Sequence, residues 1–271
     1  MVISVDAGVM ITKNDRRVKN AKLYLETDAE GDITRLEMDA KAGNGSIYMR
    51  FKPDAAGKRT FRLEADDAGA ALYAADLYDN VRGGTLLVYG EPKGGDLKGD
   101  LFGGARMENF TVVKAPVLAR LLNAMSLVGL LQQLQGQEGL PFEKLESEFQ
   151  WHFRDGGNLL AIKDGRTTGS SVGLTFEGTI DQKKNYTNIG GTIVPMSEIN
   201  NLIGSIPLIG DILTGGGALI AATYSFKGPI KDPEVSVNPL SVLTPGIIRK
   251  VLFEGGYETD IPDRKDNNPD R

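Results

Sequence analysis

The stretch LYLETDAEGDITRLEMDAKAGNGSIYMRF, residues 23–51, decides the fold class. Three short runs rich in apolar residues, at 21–25, 33–38 and 46–51, are separated by polar clusters at 28–32 and 43–45. Strands of about five residues joined by polar turns are typical of an antiparallel meander. This part of the chain is therefore predicted to be a series of antiparallel strands.

The same pattern extends over most of the chain. Three helices are predicted among the strands, at 68–78, 116–134 and 197–213, with Asp66 or Asp67 as a cap of the first and Gly136 as the stop of the second. A last short helix is predicted at 245–253. The fold is thus predicted to be mainly β, a β-rich α+β fold with three inserted or capping helices. Further strands are predicted at 2–5, 60–63, 85–89, 97–113 with a bulge at Gly103–Gly104, 142–153, 159–162, 172–180, 186–194 and 218–227.

Composition excludes several classes of protein. The 271 residues contain no cysteine, which rules out disulfides, thiol catalysis and thiolate metal sites. The net charge of −5 comes without a basic stripe, so nucleic acid is not an expected partner. No run of 18 apolar residues occurs, so no membrane-spanning helix is predicted. The first ten residues lack the features of a signal peptide and favour a strand, which suggests a fragment that begins within a domain.

The residue sets of common active sites are missing from the sequence. His152 is the single histidine, and it stands between Trp151 and Phe153 in a predicted strand. It is interpreted either as a general base or metal ligand, or as a solvent-facing or hydrogen-bonded strand residue; without a second histidine or a cysteine we favour the latter. No G-x-S-x-G or phosphate-loop motif occurs. We therefore predict no enzyme, no catalytic residue, no metal and no cofactor.

The predicted helices at 116–134 and 197–213 carry few charges, and Arg120 is the only charged residue of the first. One interpretation is packing against the sheet, the usual place of an amphipathic helix. The other is contact with lipid, either on a membrane surface or as a plug at the end of an apolar groove. In that second interpretation the residues expected to contact lipid or membrane are Leu118, Leu122, Met125, Val128, Leu131, Ile203, Ile206 and Ile209.

Several motifs in order resemble the C-terminal region of AsmA-like proteins, closest to the YhdP branch of the AsmA/TamB superfamily. The central one is FTVVKAPVLARLLNAMSLVGLLQQLQG at 110–136. GTIVP at 191–195, IPLIGDILTG at 206–215 and DPEVSVNPL at 232–240 follow it. The resemblance covers about residues 66–253.

This resemblance implies a long, twisted antiparallel sheet that forms an open apolar groove. Residues 1–65 would be preceding strands of the same sheet, 66–254 the AsmA-like domain, and 255–271 a disordered tail. It also implies a periplasmic protein held at the inner membrane by an N-terminal anchor that is not in this chain. Its role would be phospholipid transport between the inner and outer membranes and maintenance of the outer-membrane barrier.

A groove of this kind has a physical rationale, because acyl chains leave a bilayer only where another apolar surface replaces it. The alternative is a non-transporting module that caps the groove and docks onto the outer membrane or a periplasmic or outer-membrane protein. The residues expected to line the groove are Leu145, Trp151, Val172, Leu174 and Phe176.

Overall fold

A computed structural model describes residues 1–95, 99–195 and 221–240. They form one antiparallel sheet of thirteen strands whose spatial order is their sequence order, and the sheet stays open instead of closing into a barrel. This confirms the predicted mainly β fold. The strands are β1 (Val2–Ile11), β2 (Arg17–Thr27), β3 (Ile33–Ala42), β4 (Gly45–Pro53), β5 (Arg59–Ala65), β6 (Val81–Pro92), β7 (Leu101–Val112), β8 (Leu140–His152), β9 (Leu159–Thr168), β10 (Val172–Asp181), β11 (Tyr186–Pro195), β12 (Ala221–Gly228) and β13 (Glu234–Leu240).

Three α-helices within the described residues connect strands at one end of the sheet. They are α1 (Ala68–Ala74), between β5 and β6, and the pair α2 (Pro116–Ala124) and α3 (Val128–Gln135), between β7 and β8. A single 3₁₀ turn (Lys13–Asp15) lies between β1 and β2. Because adjacent strands are antiparallel, the connections β1–β2, β3–β4, β5–β6 and β7–β8 all lie at the same end. We call this the helical end.

Helix α1 is shorter than the predicted 68–78. The Asp67 carboxylate accepts a hydrogen bond from the backbone N–H of Ala70 at 3.0 Å, which confirms an aspartate cap at its start. Gly69 sets how closely the helix approaches β6, because a Cβ there would lie 2.4 Å from the carbonyl oxygen of Val81. The helix ends at Ala74, and Asp76 then takes a left-handed φ of 56°.

The prediction of one helix at 116–134 is wrong, because the segment breaks into α2 and α3. Ser126, between them, has a left-handed φ of 58°, a conformation that a continuous right-handed helix excludes. The break lets both halves bury leucines against the same sheet: Leu121 and Leu122 on α2 and Leu134 on α3 are each fully buried. Gly136 caps the end of α3 as predicted.

The predicted bulge at Gly103–Gly104 is also wrong. These residues pair in regular register with Gly90 and Tyr89. The glycine at 104 instead makes room for a ring, because a Cβ there would lie 2.4 Å from the hydroxyl oxygen of Tyr89. The left-handed residue in β7 is Asn109, with a φ of 53°.

The sheet continues without a break across position 65, because β5 pairs with both β4 and β6. The helices predicted at 197–213 and 245–253 and the tail at 255–271 lie outside the described residues. So do Ile203, Ile206 and Ile209.

Candidate functional site

One line of paired residues crosses the whole sheet and carries no polar side chain. It takes one residue from each of the thirteen strands, and every member is either a large apolar residue or glycine. We call it the apolar row. Its members, in strand order, are Ile3, Leu25, Leu36, Phe51, Phe61, Gly90, Gly103, Phe149, Ile162, Gly178, Ile189, Phe226 and Val235.

A second apolar line lies beside the first on the same face, since side chains two positions apart on a strand point the same way. It crosses β1 to β7 with no charged residue. Exposure varies along the two lines: Phe51 is fully buried, whereas Ile3 and Val5 keep 36% and 39% of their surface exposed. The second line consists of Val5, Leu23, Met38, Met49, Leu63, Val88 and Ala105.

The opposite face of the same strands is mainly polar and charged, although Leu87 and Phe102 also lie on it. Arg35 and Glu37 are 2.5 Å apart, and Arg50 contacts both Glu37 and Asp39. On later strands Arg62 pairs with Glu64 at 2.5 Å. Surface pairs of this kind add little stability, but they keep this face hydrated. The sheet is therefore amphipathic across its width.

The polar face includes one carboxylate whose titration its neighbours alter. Partial burial opposes the ionisation of Glu146, but a hydrogen bond from Lys144 and the charges of Lys144 and Arg106 outweigh it, so the pKa of Glu146 is lowered. The carboxylate lies 2.8 Å from both cations. Glu146 is thus held as an anion among basic side chains, the state of a structural ion-pair group.

The three helices cover the part of the apolar face nearest the helical end. Helices α2 and α3 bury a cluster against β6–β12 that includes Met107, Leu174 and Ile193. Helix α1 covers a second cluster of small residues on β2–β5, among them Ala21, Ala40 and Ala65. On β1–β11 the apolar row lies outside these two clusters, whereas its members on β12 and β13, Phe226 and Val235, pack against the α2–α3 cluster. From β1 to β11 the face is thus divided into a sealed strip under the helices and a row that these clusters do not include.

The residues of 116–134 that were predicted to contact lipid or membrane include both buried and exposed side chains. Leu122 is fully buried, and Leu118, Met125 and Leu131 pack against the α2–α3 cluster with part of their surface exposed. Val128 differs from the others, since 59% of its surface is exposed at the start of α3. The main role of this apolar stripe in the structure is therefore to seal the sheet, which agrees with the core-packing interpretation.

All five predicted lining residues lie on the apolar face, as their register shows. Leu145, Val172 and Leu174 are under the helices. Trp151 is half-buried and stacks on Phe153 with ring centroids 5.9 Å apart. Phe176 is half-buried with its ring over Gly165. Two of the five, Trp151 and Phe176, thus lie outside the sealed strip.

None of the predicted lining residues is on β1–β5, although residues 1–65 were predicted as strands of the same sheet and carry half of the residues of the two apolar lines. The sequence pattern that indicates this part of the face is the period-two alternation of apolar and polar residues within 23–51. Leu23 and Leu25 alternate with Tyr24 and Glu26, and Leu36 and Met38 alternate with charged residues on β3. Only the register shows that these alternations align from strand to strand.

The single histidine lies on the polar face beside a carboxylate. His152 Nδ1 lies 2.9 Å from Asp100 Oδ2, on the face opposite Trp151. Over residues 1–95, 99–195 and 221–240, no three histidine, aspartate or glutamate side chains come together in a group suited to hold a metal ion. In the same ranges no helix has the length and apolar character needed to cross a membrane.

Comparison of the chain with protein-family models, with curated proteins and with solved structures finds no match.

Proposed function

We propose that this chain is a non-enzymatic module that holds phospholipid acyl chains on the apolar face of its sheet. In this proposal it is the C-terminal segment of a periplasmic, bridge-like protein that moves phospholipid between the inner and outer membranes. The observation that supports it is the apolar row, in which no strand places a polar side chain. An ordinary antiparallel sheet with a solvated face alternates apolar and polar residues and buries the apolar side under other elements.

The energetic argument concerns the transfer of acyl chains. Each CH₂ group that enters water costs about 0.8 kcal/mol, so two chains cost on the order of 20 kcal/mol. A continuous apolar strip removes most of this cost while the headgroup remains in water. With strands about 4.8 Å apart, a line through thirteen strands extends over roughly 58 Å. That length exceeds the roughly 30 Å of a bilayer's hydrocarbon core.

The helices restrict where cargo lies. Leu121, Leu122 and Leu134 are fully buried, and each contributes about 1.5–3 kcal/mol of burial. Opening the α2–α3 pair would expose all three at once. We therefore place the acyl chains along the apolar row and its neighbouring line, and assign the helices the role of closing the helical end.

The compartment in this proposal rests only on the resemblance of 110–136 and 232–240 to AsmA-like proteins. It implies a periplasmic location and an inner-membrane anchor in a part of the protein outside this chain. The partners in this proposal are phospholipid and the two membranes, together with a periplasmic or outer-membrane protein. Of these elements, lipid binding to the apolar face can be tested with this chain alone.

The test is site-specific photo-crosslinking with the chain expressed in cells. A photoreactive phenylalanine analogue replaces Leu25 or Phe61 on the apolar row, and matched variants carry it at Tyr24 or Arg62 on the polar face. After irradiation, mass spectrometry of the purified protein measures covalently attached phospholipid. We expect adducts at Leu25 and Phe61 and at least tenfold fewer at the polar positions.

Equal labelling of the two faces would contradict the proposal, because it is the result expected if lipid adsorbs non-specifically to the protein surface. Absence of adducts from both faces, with native mass spectrometry also free of lipid, would do the same. Circular dichroism confirms that each variant is folded before its labelling is compared.

The docking alternative has support from exposed apolar side chains at the helical end. Leu77 and Tyr78, after α1, are 55% and 43% exposed, and Val128 is 59% exposed. The Asn80 side chain donates hydrogen bonds to the carbonyls of Val113 and Lys114, which ties the α1 connection to the start of α2. Lysine at Leu77 and Val128 should abolish binding to phospholipid vesicles if this end docks on a membrane, without changing the crosslinks on the sheet face.

A further inference from the structure

A cavity of about 450 Å³ opens at the helical end beside α1, away from the apolar row. Its volume is within the range of small-ligand sites, about 300–1,000 Å³. Helix α1, the β3–β4 turn and the first residues of β2 and β6 form its walls. The residues that line it include Arg17, Gly43, Asp67, Gly69, Asp79 and Arg82.

Close approaches of two glycines fix helix α1 against its neighbours in the cavity wall. Gly43 has a φ of 57°, and a Cβ there would lie 2.9 Å from the Cβ of Ala70. Gly69 lies against Val81 in the same way on the other side of the helix. Helix α1 is therefore held closely against both the β3–β4 turn and β6.

Two carboxylates and two guanidinium groups line the cavity, and only the carboxylates are engaged by strong local partners. Asp67 is used in capping α1, and Asp79 pairs with Arg16 through two hydrogen bonds of 2.7 and 3.1 Å. Within the described residues, the Arg17 side chain has no hydrogen bond or ion pair, and Arg82 donates one hydrogen bond of 3.2 Å, to the carbonyl of Gln137. Two exposed guanidinium groups thus remain without a carboxylate beside a cavity whose acids are already engaged.

We propose that this cavity binds a phosphate group through Arg17 and Arg82. Arginine is the side chain best suited to phosphate, because its planar fork donates two parallel hydrogen bonds to two oxygens. The phosphate belongs either to a phospholipid headgroup or to a free phosphate ion. The assignment to a phospholipid headgroup rests on the proposed function, because the cavity lies at the solvent-exposed helical end of the sheet that is proposed to hold the acyl chains.

The test is calorimetric titration of the purified full chain with two soluble probes that lack acyl chains, inorganic phosphate and glycerophosphoglycerol. The variant Arg17→Gln/Arg82→Gln is compared with wild type. The control Arg59→Gln/Arg154→Gln removes two arginines from the opposite end of the strands; Arg59, like Arg82, donates one hydrogen bond to a loop carbonyl, that of Gly95. We expect a loss of affinity of about tenfold or more in the first variant and wild-type affinity in the control.

Binding of glycerophosphoglycerol but not phosphate identifies a headgroup site, and the reverse identifies a free-phosphate site; both support the proposal. It is overturned if neither probe binds the wild type, or if both double variants bind equally well. Because the probes carry no acyl chain, this failure is distinct from failure of the crosslinking test on the apolar face. Urea unfolding of both double variants verifies that the comparison is made between folded proteins.

Discussion

Phe110 and Phe142 stack face to face on adjacent strands, with ring centroids 5.4 Å apart and planes within 12° of parallel. Both are only 3% exposed, and they lie in the cluster that α2 and α3 cover. The pair connects β7 to β8 directly below the helical connection between those strands. The stacked pair therefore belongs both to the sheet and to the core that α2 and α3 seal.

Replacing either ring by alanine should destabilise the chain by about 3–5 kcal/mol, because a buried aromatic side chain leaves a cavity. The double variant should lose less than the sum, by about 0.5–1.5 kcal/mol, since the stacking is removed only once. Urea unfolding of the four proteins measures this. Full additivity would show that the stacking contributes nothing beyond burial, and Tyr48→Ala, at a 39% exposed site, serves as the surface control.

Two helical glycines give opposite predictions for the same substitution. Gly69→Ala should destabilise the chain, because its Cβ would lie 2.4 Å from the carbonyl oxygen of Val81 and force α1 away from β6. Gly129→Ala in α3 meets nothing within 4 Å, and should stabilise it by up to about 1 kcal/mol through helix propensity. The midpoint of thermal unfolding should decrease for Gly69→Ala and increase for Gly129→Ala. A change in the same direction for both variants would refute the packing argument for α1.

Lysine substitutions at a buried and an exposed position of the α2–α3 pair should have different effects on stability. Leu122→Lys should prevent stable folding, since the residue is fully buried and an unpaired ammonium has no partner there. Val128→Lys, at a 59% exposed site, should change stability by no more than about 0.5 kcal/mol. Circular dichroism and thermal unfolding measure both. A folded Leu122→Lys protein would show that α2 detaches from the sheet.

Acid should weaken the contact between the β1–β2 turn and α1. A hydrogen bond from the Asn14 side chain, 2.7 Å from the carboxylate, is the largest influence that lowers the pKa of Asp76, followed by the charge of Arg16 at 2.8 Å. Because the pKa of Asp76 is lower in the folded than in the unfolded state, its ionised carboxylate stabilises the folded state at pH values above the unfolded pKa of about 3.8. This stabilisation is lost as the pH falls through the folded-state pKa.

The comparison that tests this is the thermal midpoint of wild type and Asp76→Asn from pH 7 to pH 2. The difference between the two proteins should be largest near neutral pH and should shrink below about pH 4. Arg16→Gln removes one cause of the lowered pKa and should reduce the pH dependence of the difference. A difference that stays constant across the range would contradict the prediction.

Much of the fold could be predicted from local pattern. The alternation at 21–25, 33–38 and 46–51, with polar turns between, corresponds to β2, β3 and β4. Such patterns report backbone pairing and side-chain direction, which are properties of a few consecutive residues. The candidate site was predicted by its face and not by its residues, because none of the five predicted lining residues is in the apolar row. Leu145, Val172 and Leu174 lie under the helices, and Trp151 and Phe176 are each two positions from the row member of their strand.

Neither the break at Ser126 nor the regular register through Gly103 and Gly104 could be predicted locally, because each depends on a neighbour in space. Ser126 adopts its left-handed backbone so that Leu122 and Leu134 meet the same sheet. Gly104 accommodates the Tyr89 ring from the next strand. The sequence alone determined where most strands lie and which side chains share a face of one strand, since these follow from the two-residue period; β13 and the second half of β1 were not predicted. Only the tertiary structure decided that thirteen such faces align into one apolar row and which part of it the helices seal, because alignment depends on the register between strands and not on any single segment.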